Sequence, residues 1–278
     1  MEKRSKNREN SYRKKWTETK TSGNNAENSA VRGTKPVKSA SRCPYSGRCG
    51  GCTLIDVPYA EQAESKQRRV EELIGSFGPV EPVIRMKNPD RYRNKVTSVF
   101  GYDYRRRRVC GVYRAYSHEI IPVTDCLLEN RRAEAVIRTI EELAPSFKIT
   151  NYNEDEGTGI LRYVQVRTAR ATGEVMLTIV TSGPIIPSRE NFLRVLRQKH
   201  PEITTIVQNI NDRTDSLVLA GREKVLFGPG YIIDEINGKK FRISSRAFYQ
   251  VNPIQTAKLY NIAVDMAGLS GRERVIDA

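Results

Sequence analysis

Histidine is nearly absent from this chain of 278 residues: only His118 and His200 occur. That excludes most His-rich zinc sites and weakens any Ser-His-Asp arrangement. Each histidine reads as an ordinary surface or turn residue. His200 precedes Pro201 at an expected helix end, where a partial positive charge is mildly favourable. Long apolar runs are missing too. No stretch approaches the length of a membrane span, and residues 1–20, MEKRSKNRENSYRKKWTETK, lack the apolar centre of a secretory signal. The expected location is the reducing cytoplasm, with no membrane partner. Cysteine is scarce, with five in all, but 38% apolar content lets a chain of this length bury a core without disulfides.

Positive charge is what the chain has in excess. Lys and Arg number 47 against 32 Asp and Glu, a formal net charge of +15. Such a balance attracts polyanions, and nucleic acid is the commonest. No amphipathic helix with a basic face argues for an anionic membrane instead. Residues 1–42 hold 12 Lys/Arg and 4 Asp/Glu, so that segment supplies about half of the excess, and the remainder of the chain is still basic. The same segment has almost no large apolar residues besides Tyr12 and Trp16. It is expected to be a disordered basic arm, unable to bury enough surface to offset its ordering entropy.

Beyond the arm, hydrophobic periodicity outlines a mixed α/β chain. Pro58 opens a helix in which Tyr59, Ala63, Val70, Leu73, Ile74 and Phe77 recur at helical spacing, stopped by Gly78 and Pro79. Residues 95–123 read as strands with a turn through YRRRR, and 128–143 as a helix with Val136, Ile137, Ile140 and Leu143 inward. LRYVQVRTAR and EVMLTIVTS form a hairpin across Gly173, RENFLRVLRQKH a helix, and TTIVQNIN and DSLVLAG strands, with further short strands to about residue 247. A final helix starts at Asn252 as N-cap with Pro253 in the first turn, lines one face with Leu259, Ile262, Ala263 and Met266, and ends at Gly268. Val275-Ile276 then reads as the start of a buried strand ending in Asp277. A helix leading into such a strand commonly opens a doubly wound α/β domain. One strand does not make such a domain, so the chain reads as truncated.

Three of the five cysteines fall within ten residues, CPYSGRCGGC, as Cys43, Cys49 and Cys52 with spacing C-x5-C-x2-C. In a reducing compartment such clusters bind metals or act in catalysis more often than they form disulfides. Free core thiols are the ordinary alternative, but a polar, glycine-rich decapeptide offers little core to join. Structural zinc usually takes two C-x2-C pairs, and only one is present. A [4Fe–4S] cluster needs four thiolates, three of which commonly come from one loop. Gly47, Gly50 and Gly51 would let the backbone wrap closely. The fourth thiolate is Cys110 or Cys126. Cys110, in RRVCGVY, is expected mid-strand; Cys126, in PVTDCLL, is expected at a strand end and is preferred.

The ordered set CPYSGRCGGC, IPVTDCLL, VQNIN, LFGPGYIIDEINGKKFRISSRAFYQVNPIQTAKLY and VIDA resembles the bacterial RNA uracil-5-methyltransferases that carry a [4Fe–4S] cluster, in particular those acting on 23S ribosomal RNA. The resemblance runs from residue 43 to 278. It implies Cys43, Cys49, Cys52 and Cys126 as cluster ligands, with Cys110 a structural thiol. It implies S-adenosylmethionine as cofactor, contacted by Gln250, and Phe248 near the RNA; without it, Gln250 would read as a strand-end amide and Phe248 as core. The fold it implies is α+β: an iron–sulfur loop and a mixed α/β central RNA-binding domain over 43–240, then the first elements of a truncated Rossmann-like methyltransferase domain over 241–278. The chain departs from the resemblance in two ways. It has the basic arm where a small β-barrel often stands, and the implied nucleophilic cysteine and general base lie beyond Ala278. The chain as given is therefore expected to be inactive.

The resemblance implies that a thiolate adds to C6 of uracil, C5 takes the methyl group, and a base removes the C5 proton as the thiolate leaves C6. The uridine must leave its stack, so a loop or single strand of ribosomal RNA is the expected partner. Basic and aromatic residues interleave in RYRNK (Arg91, Arg93, Lys95) and YDYRRRR (Arg105, Arg106, Arg107, Arg108), which makes them candidate RNA contacts. A solvated hairpin tip would also explain the four-arginine run. The competing functional reading is a noncatalytic RNA-binding module stapled by a metal site, and nothing in the sequence demands an oligomer.

Overall fold

The computed structural model describes residues 41–276. The basic arm lies outside the described residues except for Ser41 and Arg42. Ser41 donates to Asp56, and Arg42 pairs with Asp90 at 2.6 Å. Asp277 also lies outside them.

Residues 41–276 pack as one unit around a seven-stranded mixed sheet in the order β3-β2-β1-β4-β5-β6-β7. Strands β1 (Lys95–Tyr102) and β2 (Arg108–Tyr113) form an antiparallel hairpin, and β3 (Ile120–Pro122) pairs with β2 at the edge. β4 (Leu161–Thr168) pairs antiparallel with both β1 and β5 (Val175–Thr181). β5 and β6 (Ile203–Ile210) are parallel, with helix α3 (Arg189–Lys199) as their crossover, as a parallel pair requires. β7 (Arg222–Phe227) closes the other edge. A separate hairpin, β8 (Tyr231–Ile236) and β9 (Lys239–Ser244), turns through Asn237 and Gly238, both at positive φ. That is the Asn-Gly chemistry of a tight hairpin. The expected 240/241 boundary falls inside β9.

One face of the sheet is dry. Helix α2 (Arg131–Leu143) is capped by the Asn130 side chain, which accepts from the Arg132 N–H, and buries Ala133, Val136, Ile137 and Ile140. α3 buries Phe192, Leu193 and Leu196. Both pack onto Val96, Phe100, Val164, Val166, Leu177 and Ile206 in one apolar core. His200, expected as a surface or turn residue at a helix end, does cap α3 but is buried there and bonds Thr139 Oγ1 at 2.8 Å.

Four expectations fail. DSLVLAG is not a strand. The side chains of Asn209 and Asn211 take up its backbone, Asn211 Nδ2 donating to Leu217 O and Val218 O and Asn209 bonding Ala220 on both N–H and C=O. Side-chain partners thus replace a ladder, and the strand forms only after Gly221. The helix after Pro58, α1 (Tyr59–Ile74), buries Ala63 alone, and Val70, Leu73, Ile74 and Phe77 stay exposed. Helix α4 (Pro253–Ala267) has its expected Asn252 and Gly268 caps, but it buries Pro253 and Thr256 and leaves Leu259 and Met266 exposed. Val275 and Ile276 are exposed and form no strand, because no described strand lies beside them to pair.

Candidate functional site

The cysteine loop is built from tight local turns. Ser46 N–H donates to Cys43 O and Cys49 N–H to Tyr45 O. Gly50 packs against the end of β2, where a Cβ would come within 2.9 Å of Tyr113 O, so a side chain there would force the loop away. Ser41 and Ser46 both donate to Asp56, which holds its carboxyl below the usual range. The Tyr45 hydroxyl reaches across to Thr124, 2.7 Å from Oγ1, and accepts from Thr124 N–H at 3.1 Å. That contact ties the loop to the segment carrying Cys126.

Cys126 is held from the other side by α2. Its N–H donates to Glu134 Oε1 at 3.2 Å, and Glu134 Oε2 accepts from Arg91 Nη1 at 3.1 Å. Arg91 also pairs with Asp125, and the backbone N–H groups of Arg91 and Arg93 donate to Leu127 O and Leu128 O. The RYRNK stretch, expected to meet RNA, here buttresses the segment of Cys126.

Cys43, Cys49, Cys52 and Cys126 line one pocket, together with Tyr45, Arg93 and Glu129. Cys110 is buried in the apolar core under α2, where burial pushes its thiol far up. Its placement is that of a structural thiol. Burial pushes the Cys52 thiol up, opposed by the Arg93 charge and reinforced by Cys49 and Cys43. Burial and then Glu129 push Cys126 up to about 11, opposed by the N–H groups of Leu128 and Glu129. Gly51 N–H donates to Cys49 Sγ at 3.3 Å. Among the described residues no group of three or more His, Cys, Asp or Glu is arranged to hold a metal ion. The donor set of the pocket is nevertheless chemically suited to a cationic iron core. Crowded thiols resist joint ionisation by themselves, and positive charge among them reverses that.

The segment Ser245–Asn252 lies across the other face of the sheet. Arg167 donates to Ser245 O at 3.2 Å and to Ala247 O at 2.6 Å, and Gln165 donates to Ser245 O at 3.1 Å. Asn94, just before β1, donates from its backbone to Val251 O and from its side chain to Gln250 O. Burial lowers the Arg167 pKa to about 10, so it stays charged at neutral pH. Gln250 is therefore held by its backbone while its side chain is half-buried; Phe248 is 87% exposed. Lys95 pairs in register with Arg167 at the edge of this region, and burial followed by the Arg167 charge lowers its pKa. Tyr163, Gln165 and Arg167 alternate along a strand otherwise rich in apolar residues, a pattern that shows a second face but not what that face holds.

The four-arginine run divides. Arg106 pairs with Glu156 at 3.1 Å, Arg107 with Asp103 at 2.7 Å, and Arg108 donates to Ile149 O and Asn151 Oδ1. Arg105 has its guanidinium over the ring of exposed Tyr104, 5.1 Å from the centroid. No helix among the described residues is long and apolar enough to cross a membrane.

No protein-family profile matches the chain. By sequence it is similar to a class of bacterial proteins described as uncharacterized RNA methyltransferases. One from Bacillus cereus is 37% identical over 87% of this chain and 54% of its own length. One from Caldanaerobacter subterraneus is 38% identical over 84% and 53%, and one from Clostridium acetobutylicum is 38% identical over 88% and 54%. The chain thus spans about half the length of the curated relatives it matches. By fold it is similar to the crystal structure of Pyrococcus abyssi tRNA (uracil-54, C5)-methyltransferase in complex with S-adenosyl-L-homocysteine. That match has a TM-score of 0.65 and 22% identity, and covers 79% of this chain and 52% of that one.

Proposed function

We propose that the chain is the iron–sulfur and RNA-binding part of an S-adenosylmethionine-dependent RNA uracil-5-methyltransferase acting on a loop or single-stranded uridine of 23S ribosomal RNA. The observation that carries the reading is the meeting of C-x5-C-x2-C with Cys126 in one pocket, in a chain similar to proteins described as RNA methyltransferases. In this reading Cys43, Cys49, Cys52 and Cys126 hold a [4Fe–4S] cluster whose chemistry is structural: four iron–thiolate bonds staple the loop to the start of α2. Cys110 takes no part.

The other residues bind and orient. Gln250 presents an amide to the polar edge of S-adenosylmethionine, from a backbone that Asn94 and Arg167 hold in place. Phe248 offers an exposed ring for a base to stack on. The nucleophile for uracil C6 and the base for its C5 proton are not assigned among these residues. The chain works as a monomer in the cytoplasm.

The test is anaerobic purification followed by iron and sulfide analysis. Four irons and four sulfides per chain are expected, with visible absorption, and Cys126→Ser should lose most of the iron while Cys110→Ser keeps it. Stoichiometric iron in Cys126→Ser would refute the ligand set. For the RNA surface, the salt dependence of binding separates the arginines. Arg105→Gln should reduce the slope by about one phosphate contact. Arg107→Gln should reduce it less, because Asp103 already neutralises that charge.

A further inference from the structure

Two adjoining cavities of about 290 and 640 Å³ open on the polar face of the sheet, away from the cysteines. Their sizes are those of small-molecule sites. They share a floor of buried Val99 and Tyr163, half-buried walls of Tyr113 and Tyr152, and a rim of His118 and Glu154. None of these residues has a role in the reading above.

The contacts of Glu154 are all long. Oε1 lies 3.4 Å from the Tyr163 hydroxyl and 4.0 Å from Arg162 Nη2, and Oε2 lies 3.4 Å from His118 Nδ1. Two nearby acids are differently placed: Glu156 pairs with Arg106 at 3.1 Å, and Asp215 pairs with Arg213; Asp155 lines both cavities beside Glu154. Behind the rim, Arg162 is 3% exposed. Its guanidinium lies over the Tyr152 ring at 4.6 Å and is anchored by the carbonyls of Asn211 and Arg213. A positive charge is thus built in beside the carboxylate, whose contacts to Tyr163 and His118 at 3.4 Å are longer than well-formed hydrogen bonds. Burial keeps the phenols of Tyr113 and Tyr163 protonated, so they are donors beside it.

An aromatic-walled slot that sets a carboxylate beside phenol donors fits a planar ligand with two adjacent N–H donors next to a carbonyl acceptor. Among the RNA bases guanine alone presents that edge, N1–H beside the N2 amino group. Adenine and cytosine offer one amino group next to an acceptor. Uracil offers one N–H between two carbonyls, which would face the carboxylate with like partial charge. We propose that this pocket binds an unpaired guanine of the RNA, stacked on Tyr113 or Tyr152 and hydrogen-bonded to Glu154. The assignment rests on the RNA-directed reading above and adds a second base site to it. The position agrees. Tyr163 is two residues along β4 from Gln165, which bonds Ser245 O at the start of the segment that leads to Phe248 and Gln250, so the two sites share one face of one strand. Tyr104, which lines the smaller cavity, lies under the Arg105 guanidinium.

The experiment uses the anaerobically purified chain and fluorescein-labelled oligouridine decamers carrying one central G, A, C or U, read by anisotropy. The G decamer should bind at least about fivefold more tightly than the others, the lower end for a two-bond base contact. Glu154→Gln, at an exposed position, should bring it to the level of the U decamer without changing the melting temperature. Tyr113→Leu should weaken the G decamer by a similar factor. Equal binding of all four, a preference for A or C, or an unchanged G preference in Glu154→Gln would overturn the pocket while leaving the cluster and RNA reading standing. Failure to bind any decamer would overturn both.

Discussion

Leu177 and Thr178 are neighbours on β5, both fully buried, and they look into different environments. Leu177 joins the apolar core beneath α2 and α3. Thr178 faces the other side of the sheet, opposite Gln165, and its hydroxyl finds no partner among the described residues. The same division runs across the sheet. On one side lie Val96, Val164, Val166 and Ile206; on the other Lys95, Thr97, Gln165, Arg167 and Asn209. A single strand therefore serves stability with one set of alternate residues and holds the candidate binding elements with the other. The dry face is uniform and covered by helices. The polar face is covered piecemeal, by the β8–β9 hairpin, by Ser245–Asn252 and by the loop before β7, and the gaps between those pieces are where a ligand can enter.

The sharpest way to break this contrast is to remove a side chain from the dry face. Leu177→Ala leaves a cavity with no room for collapse, between α2 and α3 and the sheet. It should cost about 2–5 kcal/mol in urea unfolding. RNA affinity, measured where the variant is still folded, should be unchanged. A loss of RNA affinity in the folded variant would mean that the two faces are not separable.

Arg167→Met acts on the polar face and should do the reverse. It removes two hydrogen bonds from a charged group to the carbonyls of Ser245 and Ala247. The expected loss is about 2 kcal/mol, smaller than for Leu177→Ala. Its local effect should be larger: amide exchange across residues 246–250 should speed up while the amides of β5 and β6 keep their protection. Equal acceleration in both regions would show that Arg167 is a general core residue and not an anchor for the Gln250 segment.

How much of this was legible beforehand follows the same line. The cysteine loop could be read because its signal is local: three thiols and three glycines in ten residues have few structural uses. The strands and helices of the dry face could be read because burial on one side imposes a period. The polar face could not. Gln165 and Arg167 meet a backbone some eighty residues later, and nothing local in LRYVQVRT says so. DSLVLAG misled for a related reason, since its apolar pattern suits a strand but Asn209 and Asn211 supply partners that the pattern does not contain. The arginine run was legible as charge, while its neutralisation by Asp103 and Glu156 depends on the path of the chain. The exposed apolar residues of α1 and α4 have the periodicity of a buried face, and periodicity alone does not say what covers them.

The smallest expected effect is also the one that most directly tests the comparison. Thr178→Val exchanges a hydroxyl for a methyl group of nearly the same size. On most buried threonines this loses a hydrogen bond and costs about 1 kcal/mol. Here no protein group bonds the hydroxyl, so its desolvation is already uncompensated in the folded state. The substitution would remove that penalty and keep the β-branched shape that suits a strand. The expected result in urea unfolding is no loss, or a gain of up to about 1 kcal/mol, in contrast to the adjacent Leu177→Ala. A clear destabilisation would mean that Thr178 does have a partner, most simply the Gln165 amide after rotation, since Gln165 stands opposite it in register. Gln165→Leu in the Thr178→Val background would decide this. If the two residues are coupled, the double variant should cost less than the sum of the single changes, and the polar face would then be a hydrogen-bonded network rather than a set of independent anchors.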